Sequence, residues 1–442
     1  MAIPDRTNPT DYHYHVYDYE DSAPFSLSDA AGIQQLQFYS LVKDLNQLDL
    51  EAKDKNITSK LFSLYPYTAE NREIYVLCFG GNSKRRVLFT GGIHGRERIA
   101  VEIPYLIAEY LIKNYPHPNA KQPPSAKQIV IKRLVDNRQI FVAPMLNPDG
   151  HKHATFDDRT WRINRRILTK ANDFTEKNEF VPALQGNLLY RARQYKIPSE
   201  LKYILTENRR EIRFHPDDVS PGVDLNRNFP GLKWGYETYG TEVNNQGEKK
   251  TFLATSGDPR NNKAHEAYFG PSTNSENETR AIMHFFTQFG PFLASIDYHS
   301  YSKMVLYPEV AKNDGDVIRM AQCLRELIGN GALDSYKCGR PSDLLYPGFS
   351  TLMDYSYQSA PNGPLARKPY AFTVELDPEY GNEAVGFDLP EDEILTTFQK
   401  NIRGALALIA CAGKYLVRVG TPQCCGQFAN WNVFNHGNIL PD

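Results

Sequence analysis

The sequence predicts an α/β protein: a single domain with a central mixed, mostly parallel twisted sheet covered by helices on both faces. Three observations carry that expectation. Short apolar runs of strand length alternate with amphipathic stretches of helical period through most of the chain. Several of those runs stop at a histidine or an acid rather than at an ordinary turn residue. The 442 residues, 41% hydrophobic and 23% charged, have an ordinary globular composition, and large α/β folds often keep such a length around one sheet.

Residues 1–34 are acidic, aromatic and without clean periodicity, and read as an N-terminal extension packed on or trailing from the body. His13 and His15 alternate within it; a solvated or half-buried edge explains them without a metal. Val87-Leu88-Phe89-Thr90 reads as a strand leading into Gly91-Gly92-Ile93-His94. A helical pattern follows from about Glu97 to Lys113, with Ile99, Ile103, Leu106, Ile107, Tyr110 and Leu111 on one side. Ile140 to Ala143 is a second strand, closed by a turn at Asn147-Pro148-Asp149-Gly150. Ser275-Glu276-Asn277-Glu278 has capping-box spacing and opens a helix with Ile282, Phe285, Phe286 and Phe289 on its apolar side. Phe292 to Tyr298 forms a strand ending at His299, and Ala371 to Val374 another that runs into Glu375. A last helix follows Pro390 and reaches about Tyr415. Two charged or polar stretches, at about 167–221 and 231–267, break the rhythm as surface insertions in a body spanning 35–415, and 416–442 form a tail.

Bulk properties exclude several classes. With 50 basic and 52 acidic residues the formal charge is −2, which is no footprint of a nucleic-acid binder. No run approaches the ~18 apolar residues of a membrane span. The N-terminus has neither a cationic start nor an apolar core, so the expectation is a cytoplasmic protein or the mature form of a secreted one, with a monomer favoured. The six cysteines are spaced without a disulfide framework and read as isolated thiols.

In sheets of this class ligands collect beyond the carboxyl ends of the strands. His94, His299 and Glu375 all lie at such ends. His94-Gly95-Arg96-Glu97 sets an imidazole and a carboxylate three residues apart at a strand-to-helix junction, where one ion could meet both. Zinc accepts these donors, and a catalytic site uses three protein ligands, leaving the fourth position to water. His299 is the candidate third ligand. His94 is the only histidine here followed by Glu three residues later, and HExxH and HxxEH are both absent. Taken singly, His94 reads equally well as a hydrogen-bonded structural residue, and His299 reads more readily as one. A phosphate-cradling loop at Gly91–Gly95 lacks the GxGxxG spacing.

Several further motifs, in order, resemble the metallocarboxypeptidases of the carboxypeptidase A and B type, peptidase family M14. They are Pro144 to Gly150, Trp161-Arg162, Asn226-Arg227 within Gly222 to Phe229, Asp297 to Ser302, Tyr346, and Glu375 within Phe372 to Leu376. The resemblance covers about 38–415. It implies one Zn²⁺ per chain on His94, Glu97 and His299, with a peptide or protein C-terminus as substrate. A His2Glu zinc site in carboxypeptidase A is itself a standard example of such a centre. Glu375 is then the general base that takes a proton from the zinc-activated water, and Arg162 the stabiliser of the oxyanion. Asn226 and Arg227 hold the substrate carboxylate, for which the planar guanidinium fork is suited. Arg96 joins them in binding substrate, and Tyr346 closes over the departing residue.

Met353 resembles the pocket-floor position that is apolar in A-type enzymes and acidic in B-type ones. An apolar floor favours large apolar or aromatic C-terminal residues, because a cation buried there would lack a partner. Asp354, Asp343 and Glu309 lie close by in sequence or in loops expected near the pocket, and Pro347, Phe349, Thr351 and Leu352 stand where smaller residues are expected. Two other functions are compatible with the same motifs: a cell-wall peptidase acting on γ-D-glutamyl-diaminopimelate bonds, and a peptide-binding protein without turnover. Retention of His94, Glu97, His299, Arg162 and Glu375 together weighs against the last, since binding alone needs no general base.

Overall fold

A computed structural model describes residues 12–18, 39–166, 168–169, 219–220, 222–230, 239–243, 249–253, 267–329, 336–345, 348–359, 368–379 and 385–412. Most of both expected insertions, the tail beyond 412, and Tyr346 with Pro347 lie outside these residues.

The sheet is formed by β1 (Ser59–Leu64), β2 (Ile74–Gly80), β3 (Arg86–Thr90), β4 (Gln139–Ala143), β5 (Ala294–His299), β6 (Met304–Leu306), β7 (Lys337–Gly339) and β8 (Tyr370–Glu375). Its spatial order is β7-β6-β8-β5-β3-β4-β2-β1. The central strands β8, β5, β3 and β4 run parallel, as do β6 and β7. Antiparallel joins at β6–β8, β4–β2 and β2–β1 make the sheet mixed, as the sequence predicts.

Helices α1 (Leu41–Asp54), α2 (Ile99–Lys113), α3 (Ala126–Asp136), α4 (Pro148–Phe156), α5 (Asn277–Phe289), α6 (Gly315–Ile328), α7 (Pro341–Leu344), α8 (Leu352–Gln358) and α9 (Glu393–Cys411) surround it. One face of the sheet packs Val87, Phe89, Ile140, Val142, Ile296 and Phe372 against α1, α2, α6 and α9. The other packs Leu88, Phe141 and Phe292 against Ile282, Phe285 and Phe286 of α5. Each such ring or branched chain contributes about 1.5–3 kcal/mol by leaving water. Strand periodicity then directs side chains near the site. In β5 and β8, Ile296, Tyr298, Phe372 and Val374 join the first face, so Asp297, His299, Thr373 and Glu375 point to the other.

Four local expectations are corrected. Asn147-Pro148-Asp149-Gly150 is no free turn: the Asn147 side chain accepts from Gly150 N and Pro148 begins α4, where a missing N–H costs nothing. Ser275 does not form a capping box; its hydroxyl donates to Glu276 Oε1, and α5 starts after Glu276 without a side-chain cap. His15 is no solvated edge: it is 1% exposed and paired with Glu102 and Asp44. Cys323 and Cys411 are disulfide-bonded, contrary to the isolated thiols expected, whereas Cys78 and Cys338 are free. Among the described residues no helix is long and apolar enough to cross a membrane.

Candidate metal and peptide site

The loop after β3 is laced to the loops that follow β4. Gly91 N donates to Ala143 O, Leu146 N to Gly91 O, Asn147 N to Gly92 O and Gly95 N to Arg162 O. Asn147 Nδ2 adds bonds to Ile93 O and Ile163 O. The close approach leaves no room for a side chain at 95, where a Cβ would lie 2.4 Å from Gly150 O and 2.9 Å from Trp161 O. His94 is thereby fixed before α2 begins, and Glu97 follows in the turn that leads into it.

His94, Glu97 and His299 offer ligand atoms that all lie within 4.8 Å of one another, and all three residues are buried. His94 Nδ1 is 2.7 Å from Glu97 Oε1, and His299 Nδ1 is 3.0 Å from Glu97 Oε2 and 3.2 Å from His94 Nδ1. The two imidazoles thus turn the same nitrogen toward one point, opposite a carboxylate. This donor set suits zinc. The outer nitrogens are held by acids: His94 Nε2 is 3.1 Å from Asp224 Oδ1, and His299 Nε2 is 2.8 Å from Asp297 Oδ2. Such partners fix the ring orientation of a metal-binding histidine. Thr90 in turn donates to Asp297 Oδ1 at 2.7 Å.

Asp224 and Asp297 carry no signal of their own in the sequence reading, although both lie inside the motifs Gly222 to Phe229 and Asp297 to Ser302. For Asp297 the strand period supplies one: residues two apart on a strand share a face, so it had to lie beside His299. Asp224 also receives Arg162, whose Nε and Nη2 donate to Oδ2 at 3.1 and 2.9 Å. Arg162 Nη1 stands 3.6 Å from Glu97 Oε1.

Charge follows from this wiring. Burial works to raise the Glu97 carboxyl, but His94 and His299 overcome it and hold Glu97 below the usual range. Burial likewise opposes ionisation of Asp224, and Arg162 and then His94 outweigh it. His299 is driven down by burial and more strongly up by Asp297 and Glu97. Glu375 closes β8 on the same rung as His299 in the parallel pair with β5. Burial pushes its carboxyl up to about 7, with His299 and Arg162 opposing and Glu97 adding.

Asn226 and Arg227 lie in a single 3-10 turn, Leu225–Arg227, capped by Asp224. Asn226 Oδ1 accepts from Leu352 N at 2.9 Å, and its Nδ2 is 3.2 Å from His299 Nε2. Arg227 is buried and donates to Asn226 O at 2.7 Å; a Cβ at Gly348 would lie 3.8 Å from its Nη2. Met353 is buried in the first turn of α8. Arg96 donates to Thr160 O and lies 4.2 Å over the Phe387 ring. Glu309 is taken up by Ser342, which donates to it through N and Oγ at 2.6 and 2.7 Å, and Asp343 pairs with Arg340. Tyr346 lies outside the described residues.

A sequence model of the zinc carboxypeptidases, peptidase M14, matches residues 49–404. The chain belongs to the zinc carboxypeptidase family. Among curated relatives, mouse carboxypeptidase A4 is 27% identical over 350 residues, 76% of this chain and 61% of its own. Carboxypeptidase A5 of Macaca fascicularis is 26% identical over 338 residues, 75% of this chain. The match spans 57% of that relative, so this chain covers little more than half of it. Among solved structures, bovine thrombin-activatable fibrinolysis inhibitor, in complex with a tick carboxypeptidase inhibitor, superimposes with a TM-score of 0.57 at 20% identity, covering 86% of this chain and 98% of that one. The carboxypeptidase A of Helicoverpa armigera gives 0.56 at 19%, covering 90% and 79%. At these identities the structural likeness is one of fold. Family membership and donor geometry together give a family that is zinc-dependent and a cluster in this chain able to hold a metal.

Proposed function

We propose that this protein is a zinc-dependent carboxypeptidase that hydrolyses the last peptide bond of a substrate, releasing large apolar or aromatic residues. The observation that carries the reading is the convergence of the His94, Glu97 and His299 donors at the strand end where Glu375 shares a rung with His299. When bound there, zinc supplies Lewis acidity that makes a water proton easier to remove near neutral pH.

The chain's own residues supply the rest. Among the described residues the Glu375 carboxylate has no hydrogen-bond partner, and burial has raised its proton affinity toward neutrality. A base so poised takes a proton from water and returns it to the departing amine. Arg162, anchored on Asp224 through two of its nitrogens, keeps its third nitrogen toward Glu97 and can donate to the oxygen on which negative charge grows. Arg227, with Asn226 beside it, receives the substrate's terminal carboxylate. Arg96 contacts the substrate from the rim, and Tyr346 closes over the departing residue. Met353 gives the pocket an apolar floor; Glu309 is taken up by Ser342, and Asp354, buried next to Met353, accepts from Thr351 through Oδ2.

The test is mass spectrometry on peptides that differ only in the C-terminal residue, with and without a chelator. Loss of single C-terminal residues, fastest for Phe, Tyr or Leu, abolished by chelation and restored by zinc, is the expected result. No loss from any free-acid peptide by zinc-loaded protein would overturn the reading. Cleavage of muropeptides alone would replace it with the cell-wall peptidase.

A further inference from the structure

Residues 12–18 form a buried strap that the proposed chemistry does not use. Tyr12, Tyr14, His15 and Val16 are all buried. On one side the strap is tied to the helix that follows the ligand motif. His15 N donates to Glu102 Oε1 at 2.7 Å, His15 Nδ1 lies 2.6 Å from Glu102 Oε2, and the Tyr12 hydroxyl donates to the same oxygen at 3.0 Å. Glu102 belongs to the first turn of α2.

On the other side the strap grips residues 388–391. The Tyr14 hydroxyl donates to Leu389 O at 2.7 Å, Tyr14 N donates to Glu391 Oε1 at 3.3 Å, and His13 Nδ1 lies 2.9 Å from Glu391 Oε2. Arg98, next to the ligand Glu97, stands 4.5 Å over the Tyr14 ring and donates to Asp388 Oδ1 at 2.7 Å. Arg159 donates to the same oxygen at 3.0 Å. Residues 385–392 belong to no helix or strand, so these contacts replace the ladder that would otherwise hold them.

The gripped segment carries Phe387. Its ring meets Tyr301 edge-on at 5.0 Å and lies beneath Arg96 at 4.2 Å. Both neighbours flank the ligands: Arg96 precedes Glu97, and Tyr301 follows Ser300, whose N donates to Glu97 Oε2 at 3.3 Å. Arg96, Phe387 and Tyr301 therefore form a wall at the edge of the metal cluster. Asn226 and the turn that carries Arg227 are tied instead to residues 350–352.

We infer that the strap is a positioning device: Tyr14 and His13, acting through Leu389 and Glu391, hold Phe387 against Tyr301 and Arg96. It thereby sets how well the cleft receives substrate residues two or more positions before the scissile bond. The inference rests on the peptidase reading.

Tyr14→Phe keeps the ring under Arg98 and removes only the bond to Leu389; Glu391→Gln weakens the His13 contact independently. Each is compared with wild type on a dipeptide blocked only by a formyl group, which carries no side chain to the wall, and on a pentapeptide with the same two C-terminal residues. The expected result is a KM about threefold to tenfold higher for the pentapeptide, the range of one net hydrogen bond. KM for the dipeptide and kcat for both stay unchanged. An equal rise for both substrates, or none, would overturn the strap's role. If wild type cleaves neither, the peptidase reading falls. Calorimetric binding of the same two peptides then carries the comparison: weaker binding of the pentapeptide alone sustains the strap, and equal binding overturns it.

Discussion

Asp224 touches three groups at once. It accepts from Arg162, faces His94 Nε2, and caps the turn bearing Asn226 and Arg227 by accepting from Asn226 N at 2.9 Å. Asp224→Asn keeps the shape but removes the charge that both Arg162 and the His94 ring are oriented by. Zinc affinity, read by competition with a chelator, should fall by about 10–100-fold. An unchanged affinity would show that the acid does not orient the ligand. Glu375 stands differently, since among the described residues its carboxylate feels His299 and Arg162 but has no hydrogen-bond partner. Glu375→Gln should lower kcat by about 10²–10⁴ while KM and zinc content stay near wild type; a similar loss of zinc would instead mark a structural residue. The sequence made His94, Glu97, His299 and Glu375 candidates because each is a chemically unusual end to an apolar run or a fixed-spacing pair, and the structure gathers the first three into one cluster. The sequence hid the role of Asp224, whose partners lie 62 and 130 residues away in Arg162 and His94. No periodicity reports such a contact.

At the scale of elements, strands and helices were legible wherever burial imposed a period. Arg86–Thr90, Gln139–Ala143, Ala294–His299 and Tyr370–Glu375 fall where their apolar runs lie, because each is covered on both faces. What misled was local polar chemistry with more than one outlet. Asn147 has turn-forming neighbours, yet its side chain is spent on capping α4 and bracing Ile93 and Ile163. Ser275 could cap a helix, but Glu276 and Asn228 compete for its hydroxyl. The bracing of the His94 loop gives an element-scale prediction. Gly95→Ala would force a methyl against the backbone of Gly150 and Trp161. Overpacking of this kind costs about 1–3 kcal/mol. A lower Tm together with weakened zinc binding is expected; a Tm and affinity equal to wild type would mean that the loop gives way freely.

The whole molecule carries buried acids away from the metal cluster. Glu278, at the start of α5, is 1% exposed; among the described residues its Oε1 has no hydrogen-bond partner, and Asn164 Nδ2 donates to Oε2 at 3.3 Å. Burial, helped by Asp149 and Glu276, pushes its carboxyl from 4.5 up to about 8. As pH rises through that window the unfolded chain gives up the proton while the folded chain keeps it. Stability therefore falls, because the folded state binds more protons. Glu278→Gln should flatten the decline of Tm between about pH 5 and 8. An identical pH profile in the variant would place the proton elsewhere. The disulfides at Cys323 and Cys411 were invisible to spacing arguments because pairing is set by tertiary approach rather than by sequence interval.

The rung shared by His299 and Glu375 has a consequence for how such a site can change. A strand offers placements only in discrete steps: one residue along turns a side chain to the opposite face, and two residues along displaces it by roughly 6.6 Å. The separation of ligand and base is therefore quantised by the backbone ladder. Surrounding loops can lengthen, shorten or diverge without stretching it. Fine adjustment is left to the length of the side chain alone, so Glu375→Asp withdraws the carboxylate by one methylene and no shift of the strand can restore the distance.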